Sequence, residues 1–482
     1  MGNNVLIQCG DHFENQNRIL PLCLHLKSYG IRPIVLLYSN NSSNIFEYEN
    51  IETINLDFYR SLGKDKIKYT YTAYDESFVA DVSYIEKAKN PWKFSTKRKR
   101  DEVRKIYRDK ISLEKIIHDF NIDIVGIWNG YTGYVANILR FYCSEKKIKC
   151  FFMERSFFKG GLFVDPLGAN GYSELARLKK VESECKDIYT VSDNEFSVSD
   201  YIFIPLQVQT DTNNILFSNY VKSMRKLILL VYKAIQDYNY ENSTNIKLVV
   251  REHPEEVDKR LNLPKISGID YRNDLGLEYW IKKSLSVITI NSTVGLEALA
   301  LGKNVITLGD AIYTSKELTL EYSENTELKN LIFLSLKKSP DVSSVNTFLN
   351  LLYQRNTVTY DHFPSCLEFI IKNKNAKPFA SLISNKKDGI ISYLKSRRVV
   401  RVQVLFKKIP KLNLTYRNLA VLCDRDYIKS ELIKLYGVEV DIEITRVNVF
   451  TDSDIYIIDS IDSNINIPEN GFLLDPYLLP IG

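Results

Sequence analysis

Two short apolar runs that each end abruptly at polar residues constrain the fold of this chain more than any other feature. The first reads Ile-Lys-Leu-Val-Val from residue 246 and is followed by Arg-Glu-His-Pro. The second reads Val-Ile-Thr-Ile from residue 287 and is followed by Asn-Ser-Thr. Buried parallel strands are continuous β-branched runs, and the side chains that follow them lie at the carboxyl edge of an α/β sheet. The sequence therefore predicts an α/β fold with polar groups gathered at such an edge.

The second run continues into a predicted strand, cap and helix. Asn291, Ser292 and Thr293 supply capping side chains, a helix-forming stretch follows over 296–301, and Gly302 ends it. A helix N-terminus with free amides and two hydroxyls is suited to binding phosphate. The same unit also occurs in many α/β proteins without a ligand, so both interpretations stay open at this point.

A histidine follows the first run, and its context connects the two runs. His253 precedes Pro254, which holds the backbone before it extended; an isolated His-Pro of this kind more often caps a neighbouring carbonyl. The combination of Arg-Glu-His-Pro with Ile-Asn-Ser-Thr-Val-Gly-Leu-Glu-Ala-Leu, however, resembles the nucleotide-binding half of bacterial capsule polysaccharide biosynthesis proteins, the family of β-Kdo transferases. In that family, and more loosely in bacterial sialyltransferases, a His-Pro and a Ser-Thr…Glu pair hold the cytidine monophosphate (CMP) of the donor sugar.

Two further matches lie upstream in the family's order. The stretch Phe-Met-Glu-Arg-Ser-Phe-Phe around Glu154, with a Gly-x-Asn-x-x-Ser continuation through Asn170, resembles the family's glutamate segment. It departs from the pattern after the glutamate, where many relatives carry Gly-Tyr or Asp-Gly followed by Arg. The stretch from Gln207 to Asp211 resembles the Gln…Asp segment. Four ordered matches over residues 120–315 are far more specific than any one of them.

Strand and helix patterns alternate along the chain. They predict two Rossmann-like halves in a glycosyltransferase B-type arrangement, plus a small C-terminal α/β segment. The predicted domains are residues 1–215, with an insertion at 70–110, then 216–375, and finally 376–482. The predicted strands are 4–9, 33–38, 124–128, 150–153 and one that begins at 247, and the predicted helices are 16–29, 112–120, 134–146 and 219–240.

The resemblance also implies the chemistry. A CMP-β-Kdo donor and a β-linked product mean retention of configuration, for which two carboxylates are the simplest means. We predict Asp211 as the nucleophile and Glu154 as the acid/base that activates the acceptor hydroxyl, with Asp165 as a competing carboxylate. Alternatively, Asp211 caps a helix that starts near Ile215, and Glu154 pairs with Arg155 or Arg251 as a structural ion pair.

The remaining site residues are assigned to the donor and to the acceptor side. Arg251 and His253 would neutralise donor charge, Ser292 and Thr293 would bind phosphate, and Glu297 would accept from ribose or cytosine. The predicted donor-binding set is Arg251, His253, Pro254, Asn291, Ser292, Thr293 and Glu297. The predicted acceptor or cleft set is Gln207, Asp165 and Asn170.

Composition favours a large enzyme without membrane spans. The 482 residues are 45% hydrophobic, which is ample for two or three domains, and no run of about 18 uncharged apolar residues is present. The N-terminus reads as a first strand, so we predict a cytoplasmic protein. The seven cysteines are scattered, which indicates neither disulfides nor zinc. We expect no cofactor and no metal: Asp-x-Asp at 424–426 and 452–454 is typical of turns.

The tail at 376–482 lies outside the resemblance. Strands at 419–423, 440–444 and 455–458 and a helix at 426–436 are predicted there. A basic stretch precedes them, formed by Lys395, Arg397, Arg398, Arg401, Lys407, Lys408 and Lys411. This stretch is either a solvated face or a patch for anionic lipid on the inner face of the cytoplasmic membrane. No nucleic-acid motif accompanies it.

The predicted partners are a nucleotide-sugar donor and a glycolipid or oligosaccharide acceptor. Three alternatives stay open: a transferase of the same architecture with another nucleotide sugar, a non-catalytic capsule assembly or export partner, and an epimerase-like enzyme. A donor-hydrolysis assay separates the transferases from the epimerases.

Overall fold

The computed structural model describes residues 4–39, 45–62, 73–90, 96–179, 199–218, 220–221, 223–256 and 263–371, together with five strands between residues 400 and 474. The chain divides into two compact units. The larger unit is residues 1–82 with 106–379, and the smaller is 83–105 with 380–482.

The larger unit begins with a sheet built on apolar runs. Its first six strands are β1 (Asn4–Gln8), β2 (Arg32–Leu37), β3 (Glu52–Asn55), β4 (Ile124–Trp128), β5 (Lys149–Arg155) and β6 (Leu162–Asp165). The order β3-β2-β1-β4-β5 is parallel, and β6 pairs antiparallel with β5. Val5, Leu6 and Ile7 have no exposed surface, which explains why β1 is apolar at successive positions.

The helices of this first half follow the predicted pattern with shifted ends. They are α1 (Phe13–Ser28), α2 (Leu56–Leu62), α3 (Ala73–Lys89), α4 (Thr96–Asp119), α5 (Tyr134–Lys146) and α6 (Glu174–Arg177). The prediction over 134–146 is confirmed to the residue, whereas the one over 112–120 is only the end of α4. The predicted insertion at 70–110 consists, where described, of α3 and the first part of α4.

A second sheet is entirely parallel. Its strands are β7 (Tyr201–Pro205), β8 (Lys247–Arg251), β9 (Ile269–Tyr271), β10 (Ser286–Thr289), β11 (Val305–Thr307) and β12 (Leu320–Glu321). The helices of this half are α7 (Thr212–Phe217), α8 (Met224–Asn242), α9 (Leu277–Lys283), α10 (Thr293–Ala300), α11 (Leu328–Lys337), α12 (Val342–Asn356) and α13 (Glu368–Ile371). The strand order β9-β8-β7-β10-β11-β12 is that of a doubly wound nucleotide-binding sheet.

The prediction of two Rossmann-like α/β halves is therefore confirmed, with a correction at their junction. β7 pairs with β8 and β10, so the second sheet takes its first strand from before the predicted boundary at residue 216. The chain also returns to the first sheet, because β13 (Thr357–Val358) pairs antiparallel with β6. Sequence periodicity misses this return because a two-residue strand carries no pattern.

Each half reverses its strand order beside its first strand. β1 lies between β2 and β4, and β7 lies between β8 and β10. In open α/β sheets the crevice at this switch point, outside the carboxyl ends of the strands, is where ligands bind. We therefore expect ligand-binding residues at the carboxyl ends of β1 and β4 and at those of β7 and β10.

The smaller unit contains a five-stranded sheet. Its strands are β14 (Val400–Leu405), β15 (Leu419–Leu422), β16 (Asp441–Thr445), β17 (Ile455–Ile458) and β18 (Phe472–Leu474), in the order β16-β14-β15-β17-β18. The three predicted strands of the tail are confirmed, whereas β14 and β18 were not predicted. The helix predicted at 426–436 and the side chains of the basic stretch lie outside the described residues.

Candidate functional site

Glu154 lies near the end of β5, at the carboxyl edge of the first sheet. Its Oε2 accepts a hydrogen bond from Asn129 Nδ2 at 2.7 Å, and its Oε1 accepts from the Arg155 amide at 3.0 Å. These bonds replace the ion pair with Arg155 or Arg251 that was considered as an alternative. Burial raises the pKa of Glu154, and the charge of Asp211 acts in the same direction, against the two hydrogen bonds. A carboxyl with a raised pKa is suited to acid/base catalysis.

The loop after β4 holds Asn129 in position. Asn129 adopts a left-handed conformation with φ of 56°, and Gly130 follows with φ of 85°. A Cβ on Gly130 would lie 2.5 Å from the Phe152 ring, so only glycine fits both the turn and the contact. The buried Arg140 donates to the Gly130 carbonyl at 3.0 Å and lies 4.9 Å from the Tyr131 ring centre. Asn129 was not predicted as a site residue, although Ile-Trp-Asn-Gly at a strand end was a signal.

Asp211 precedes α7 and caps it. Its Oδ1 accepts from the Asn213 amide at 2.8 Å, so the capping interpretation is confirmed, with the helix starting at Thr212 rather than near Ile215. The charge of Asp211 contributes to the raised pKa of Glu154, after burial as the main cause. A hydroxyl pair, Thr132 Oγ1 to Thr212 Oγ1 at 2.6 Å, also joins the halves beside these carboxylates.

Gln207 and Asn291 face each other at the switch point of the second sheet. Gln207 Nε2 donates to Asn291 Oδ1 at 2.9 Å, and the Asn291 amide donates to Gln207 Oε1 at 3.3 Å. Asn291 Nδ2 donates to the Asn213 carbonyl at 3.0 Å. Both residues are buried. Asn291 was predicted on the donor side and Gln207 on the acceptor side; in the structure their side chains bind each other and the backbone, and the predicted roles stay predictions.

The predicted strand, cap and helix over 287–302 is present. Ser292 Oγ accepts from the Val294 amide at 3.2 Å, and Thr293, the first residue of α10, is exposed. The Ser292 carbonyl accepts a hydrogen bond from the hydroxyl of the buried Tyr313, and this bond holds the start of α10 in position. The helix N-terminus therefore presents a half-buried and an exposed hydroxyl.

Glu297 lies one turn further along α10 and is half-buried. Burial raises its pKa, and the charge of Glu278 adds to the effect. Its predicted role toward ribose or cytosine stays a prediction.

The His-Pro segment forms a tight turn after β8. His253 Nδ1 accepts from the Glu255 amide at 3.2 Å, and the His253 carbonyl accepts from the Glu256 amide at 2.8 Å. Because Nδ1 is an acceptor, a neutral ring carries its proton on Nε2, which is then the donor available to a ligand. The exposed Pro254 follows, so the ring position is fixed by the turn.

Arg251 is more constrained than predicted. Its Nη1 donates to the Asp274 carbonyl at 2.8 Å and lies 3.5 Å from the Arg272 carbonyl. This guanidinium therefore stabilises the loop after β9, and part of its hydrogen-bonding capacity is used there.

Asp165 is not a cleft residue. It has no exposed surface, and its oxygens accept from the amides of Leu167, Gly168, Glu174 and Leu175 and from Asn356 Nδ2. Burial raises its pKa to about 6 despite these bonds. Asp165 was predicted as a competing carboxylate; its burial and these hydrogen bonds give it a structural role, and the catalytic role stays a prediction. Asn170 is half-buried with φ of 51°, and its carbonyl accepts from Ser173 Oγ at 2.7 Å.

The described residues contain no cluster of three or more His, Cys, Asp or Glu side chains suited to a metal ion. No helix in the described ranges is both long and apolar enough to cross a membrane. The two Asp-x-Asp segments of the tail lie outside the described residues.

Comparison with known proteins supports the family resemblance. Residues 167–363, a stretch that includes Asp211 and Ser292, match the model of the family described as capsule polysaccharide biosynthesis protein. Glu154 lies outside the matched range. Protein FixF of Sinorhizobium fredii is 30% identical over 232 residues, which cover 45% of this chain and 56% of that protein. The chain therefore spans about half the length of this curated relative.

Two solved structures are similar to this chain at low sequence identity. KpsC of Thermosulfurimonas dismutans, a beta Kdo 2,7 transferase, is 16% identical over 50% of this chain and 89% of its own, with a TM-score of 0.29. The UDP-GlcNAc 2-epimerase of Methanocaldococcus jannaschii is 15% identical over 72% of this chain and 99% of its own, with a TM-score of 0.34. Neither likeness decides between a transferase and an epimerase.

Proposed function

We propose that this chain is a glycosyltransferase of surface polysaccharide synthesis that transfers Kdo or a similar acidic sugar from a CMP-activated donor, with retention of configuration. The acceptor is a glycolipid or oligosaccharide, and the protein works in the cytoplasm, on the inner face of the membrane. The observation that carries the proposal is a contact between the two halves of the fold: Thr132 Oγ1, which lies 3.2 Å from Asn129 Oδ1, also bonds Thr212 Oγ1 at 2.6 Å, so the loop that holds Glu154 meets the start of α7 beside Asp211. The family match over residues 167–363 supports the link to polysaccharide synthesis.

The proposed reaction has two displacements. The Asp211 carboxylate attacks the anomeric carbon, the bond from that carbon to the phosphate oxygen breaks, and CMP leaves with the electron pair. The acceptor hydroxyl then attacks the same carbon, its proton passes to the Glu154 carboxylate, and the bond to Asp211 breaks with its electrons returning to the aspartate. Two inversions give net retention.

The residues around the two carboxylates suit these roles. The Asn213 amide fixes one oxygen of Asp211, which orients the carboxylate while Oδ2 has no hydrogen-bond partner within the described ranges. Asn129 fixes Glu154 in the same way from the first half. A raised pKa makes Glu154 a better proton acceptor than an ordinary glutamate once it is ionised.

The donor phosphate is assigned to the carboxyl edge of the second sheet. The start of α10 offers the hydroxyls of Ser292 and Thr293, and His253 offers Nε2; the Val294 and Gly295 amides already donate to Ser292. A helix N-terminus favours an anion through its dipole. Glu297 would accept from ribose or cytosine.

The experiment compares Asp211→Asn with Asp341→Asn, in a transfer assay with CMP-Kdo and an oligosaccharide acceptor. Asp341 caps α12 as Asp211 caps α7, accepting from the Ser344 amide at 3.0 Å, so the control removes the same kind of cap charge elsewhere. Asparagine is also a good cap, so both variants should fold. We expect Asp211→Asn to lower kcat by roughly 10³-fold or more with nucleotide affinity retained, because an amide is a poor nucleophile. Equal activity of the two variants would exclude Asp211 as nucleophile.

A nucleotide screen tests the donor. CMP, UDP, GDP and ADP are compared for thermal stabilisation, since a ligand at a hundredfold above its Kd adds about 2.7 kcal/mol to the free energy of unfolding. Binding of UDP without CMP would replace the proposed donor with a different nucleotide sugar. Interconversion of free sugar nucleotides without transfer would instead indicate an epimerase.

A further inference from the structure

The pairing of Gln207 with Asn291 is a consequence of strand register. Ser286 of β10 lies opposite Ile202 of β7, and the next pair has the same offset of 84 residues. Gln207 and Asn291 also differ by 84, so each is the fifth residue beyond the first registered pair. The parallel strands therefore deliver the two amides side by side, two residues past the end of each strand. Their reciprocal hydrogen bonds close the gap between the strands at the switch point.

The pair is also connected to the segment that carries Asp211. Asn291 Nδ2 donates to the carbonyl of Asn213, and the amide of Asn213 donates to Asp211 Oδ1. On the other side, the Val208 carbonyl accepts from the Asp211 amide at 3.0 Å and from Asn214 Nδ2 at 2.9 Å. The first turn of α7 is thus held from β10 through a chain of two hydrogen bonds that ends on the candidate nucleophile.

We infer that Gln207 and Asn291 are positioning residues that fix the carboxylate of Asp211 opposite Glu154. The inference rests on the proposed function for the role of Asp211, but not for the hydrogen-bond chain itself. Both side chains are more than nine-tenths buried, so they do not contact a substrate directly. α7 has only six residues, and so short a helix needs tertiary contacts to hold its position.

The inference predicts a directional effect on acid/base behaviour. The charge of Asp211 is one cause of the raised pKa of Glu154. If Asp211 moves away when the pair is broken, the pKa of Glu154 falls toward its ordinary value. The limb of the kcat profile that reports ionisation of Glu154 then shifts to lower pH. A merely structural loss of folded protein would lower the amplitude of the profile without shifting its limb.

The test uses the full chain with Asn291→Ala and Gln207→Ala, and with Asn350→Ala as the matched control. Asn350 is equally buried in the same half, and its Nδ2 also donates to a backbone carbonyl, that of Asn346, but it lies on α12. We expect hydrogen exchange in a peptide covering 206–217 to speed up severalfold in Asn291→Ala and to stay unchanged in Asn350→Ala. We also expect kcat to fall by about tenfold to a hundredfold at unchanged donor affinity, since a small misplacement of a reacting group has that effect.

The outcomes separate the two proposals. If Asn291→Ala leaves exchange over 206–217 unchanged, the positioning role is excluded whatever the activity. If exchange rises but the pH limb stays in place, the pair holds α7 without setting the position of Asp211 relative to Glu154, and the inference is again excluded. If the wild-type chain transfers no sugar from any donor, the proposed function fails, while faster exchange in Asn291→Ala and Gln207→Ala, and not in Asn350→Ala, still supports the hydrogen-bond chain.

Discussion

The carboxyl edges of the two sheets each contain a glutamine that bridges neighbouring strands, but the two glutamines have different partners. In each half a buried glutamine just beyond or at the end of the first strand reaches across the switch point. Gln8 accepts from the Trp128 amide at 3.1 Å and donates to the Tyr38 hydroxyl at 2.6 Å, so it joins three strands. In Gln207, by contrast, both side-chain polar atoms hydrogen-bond to one residue, Asn291.

This difference in partners goes with a difference in the polar groups that each edge presents beside its glutamine. In the first half Gln8 bonds Trp128 and Tyr38, and the Asn129 amide donates to Glu154. In the second half the Asn291 side chain bonds Gln207 and the Asn213 carbonyl, and the next residues, Ser292 and Thr293, present the hydroxyls. The comparison suggests a division in which the first edge supplies acid/base chemistry and the second edge holds the donor.

The largest expected effect tests the first edge. Glu154→Gln should lower transfer by about 10²–10⁴-fold, the usual contribution of a general acid or base, with nucleotide affinity unchanged. Steady-state kinetics and nucleotide titration on the same samples measure both. A variant that loses CMP affinity while keeping its turnover would reverse the division between the edges.

The next effect concerns the turn that carries Asn129. Gly130→Ala should lower the free energy of unfolding by about 2–5 kcal/mol, because a left-handed residue costs about 1–2 kcal/mol and overpacking against Phe152 costs about 1–3 kcal/mol. Gly30 is the control, since its φ of 72° is also positive but nothing lies within 4 Å of a Cβ placed there. Gly30→Ala should show the backbone cost alone in urea unfolding. Equal losses for both variants would mean that the contact with Phe152 relaxes freely.

A pH effect of similar size is expected from Asp165, which belongs to neither edge. Its pKa is about 6 in the folded protein against 3.8 for an ordinary aspartate, so folding favours the protonated form. The stability that Asp165 contributes is present below pH 3.8 and is lost as pH rises through about 6. The loss in the free energy of unfolding is roughly 2–3 kcal/mol, because each pKa unit corresponds to about 1.36 kcal/mol. Asp165→Asn should abolish this part of the pH dependence in urea unfolding between pH 4 and 7. Parallel pH curves for the two proteins would contradict the prediction.

The smallest effect tests the second edge. Ser292→Ala should weaken CMP binding by about 1.5–3 kcal/mol if its hydroxyl binds the phosphate, with a further loss of about 1 kcal/mol in stability from the missing cap. Isothermal titration and thermal unfolding separate the two. Thr293→Ala is a comparison at an exposed, non-capping position. Unchanged CMP affinity in both variants would move the phosphate away from the start of α10.

Local patterns predicted much of the fold and less of the site. The strand at 124–128, the helix at 134–146 and the cap at Ser292 were predictable because periodicity and capping act within a few residues. The junction near residue 216 was wrong, since β7 is too short to reveal which sheet it joins. The hydrogen-bond partners of Asp165 and Asn291 were not predictable for a related reason. A polar residue after an apolar run reaches the sheet edge, but the run does not show whether substrate or protein meets it there.

The sequence by itself determined that this chain forms two α/β halves, and that hydroxyls, a histidine and carboxylates collect near strand ends. Those properties follow from side-chain size, branching and capping between neighbours in the chain. Only the tertiary structure decided the partners: Asn129 for Glu154, Gln207 for Asn291, and Asn356, 191 residues away, for Asp165. Such contacts depend on strand order and register, which are fixed when whole sheets pack, because burying apolar surface on both faces leaves few ways to arrange the strands.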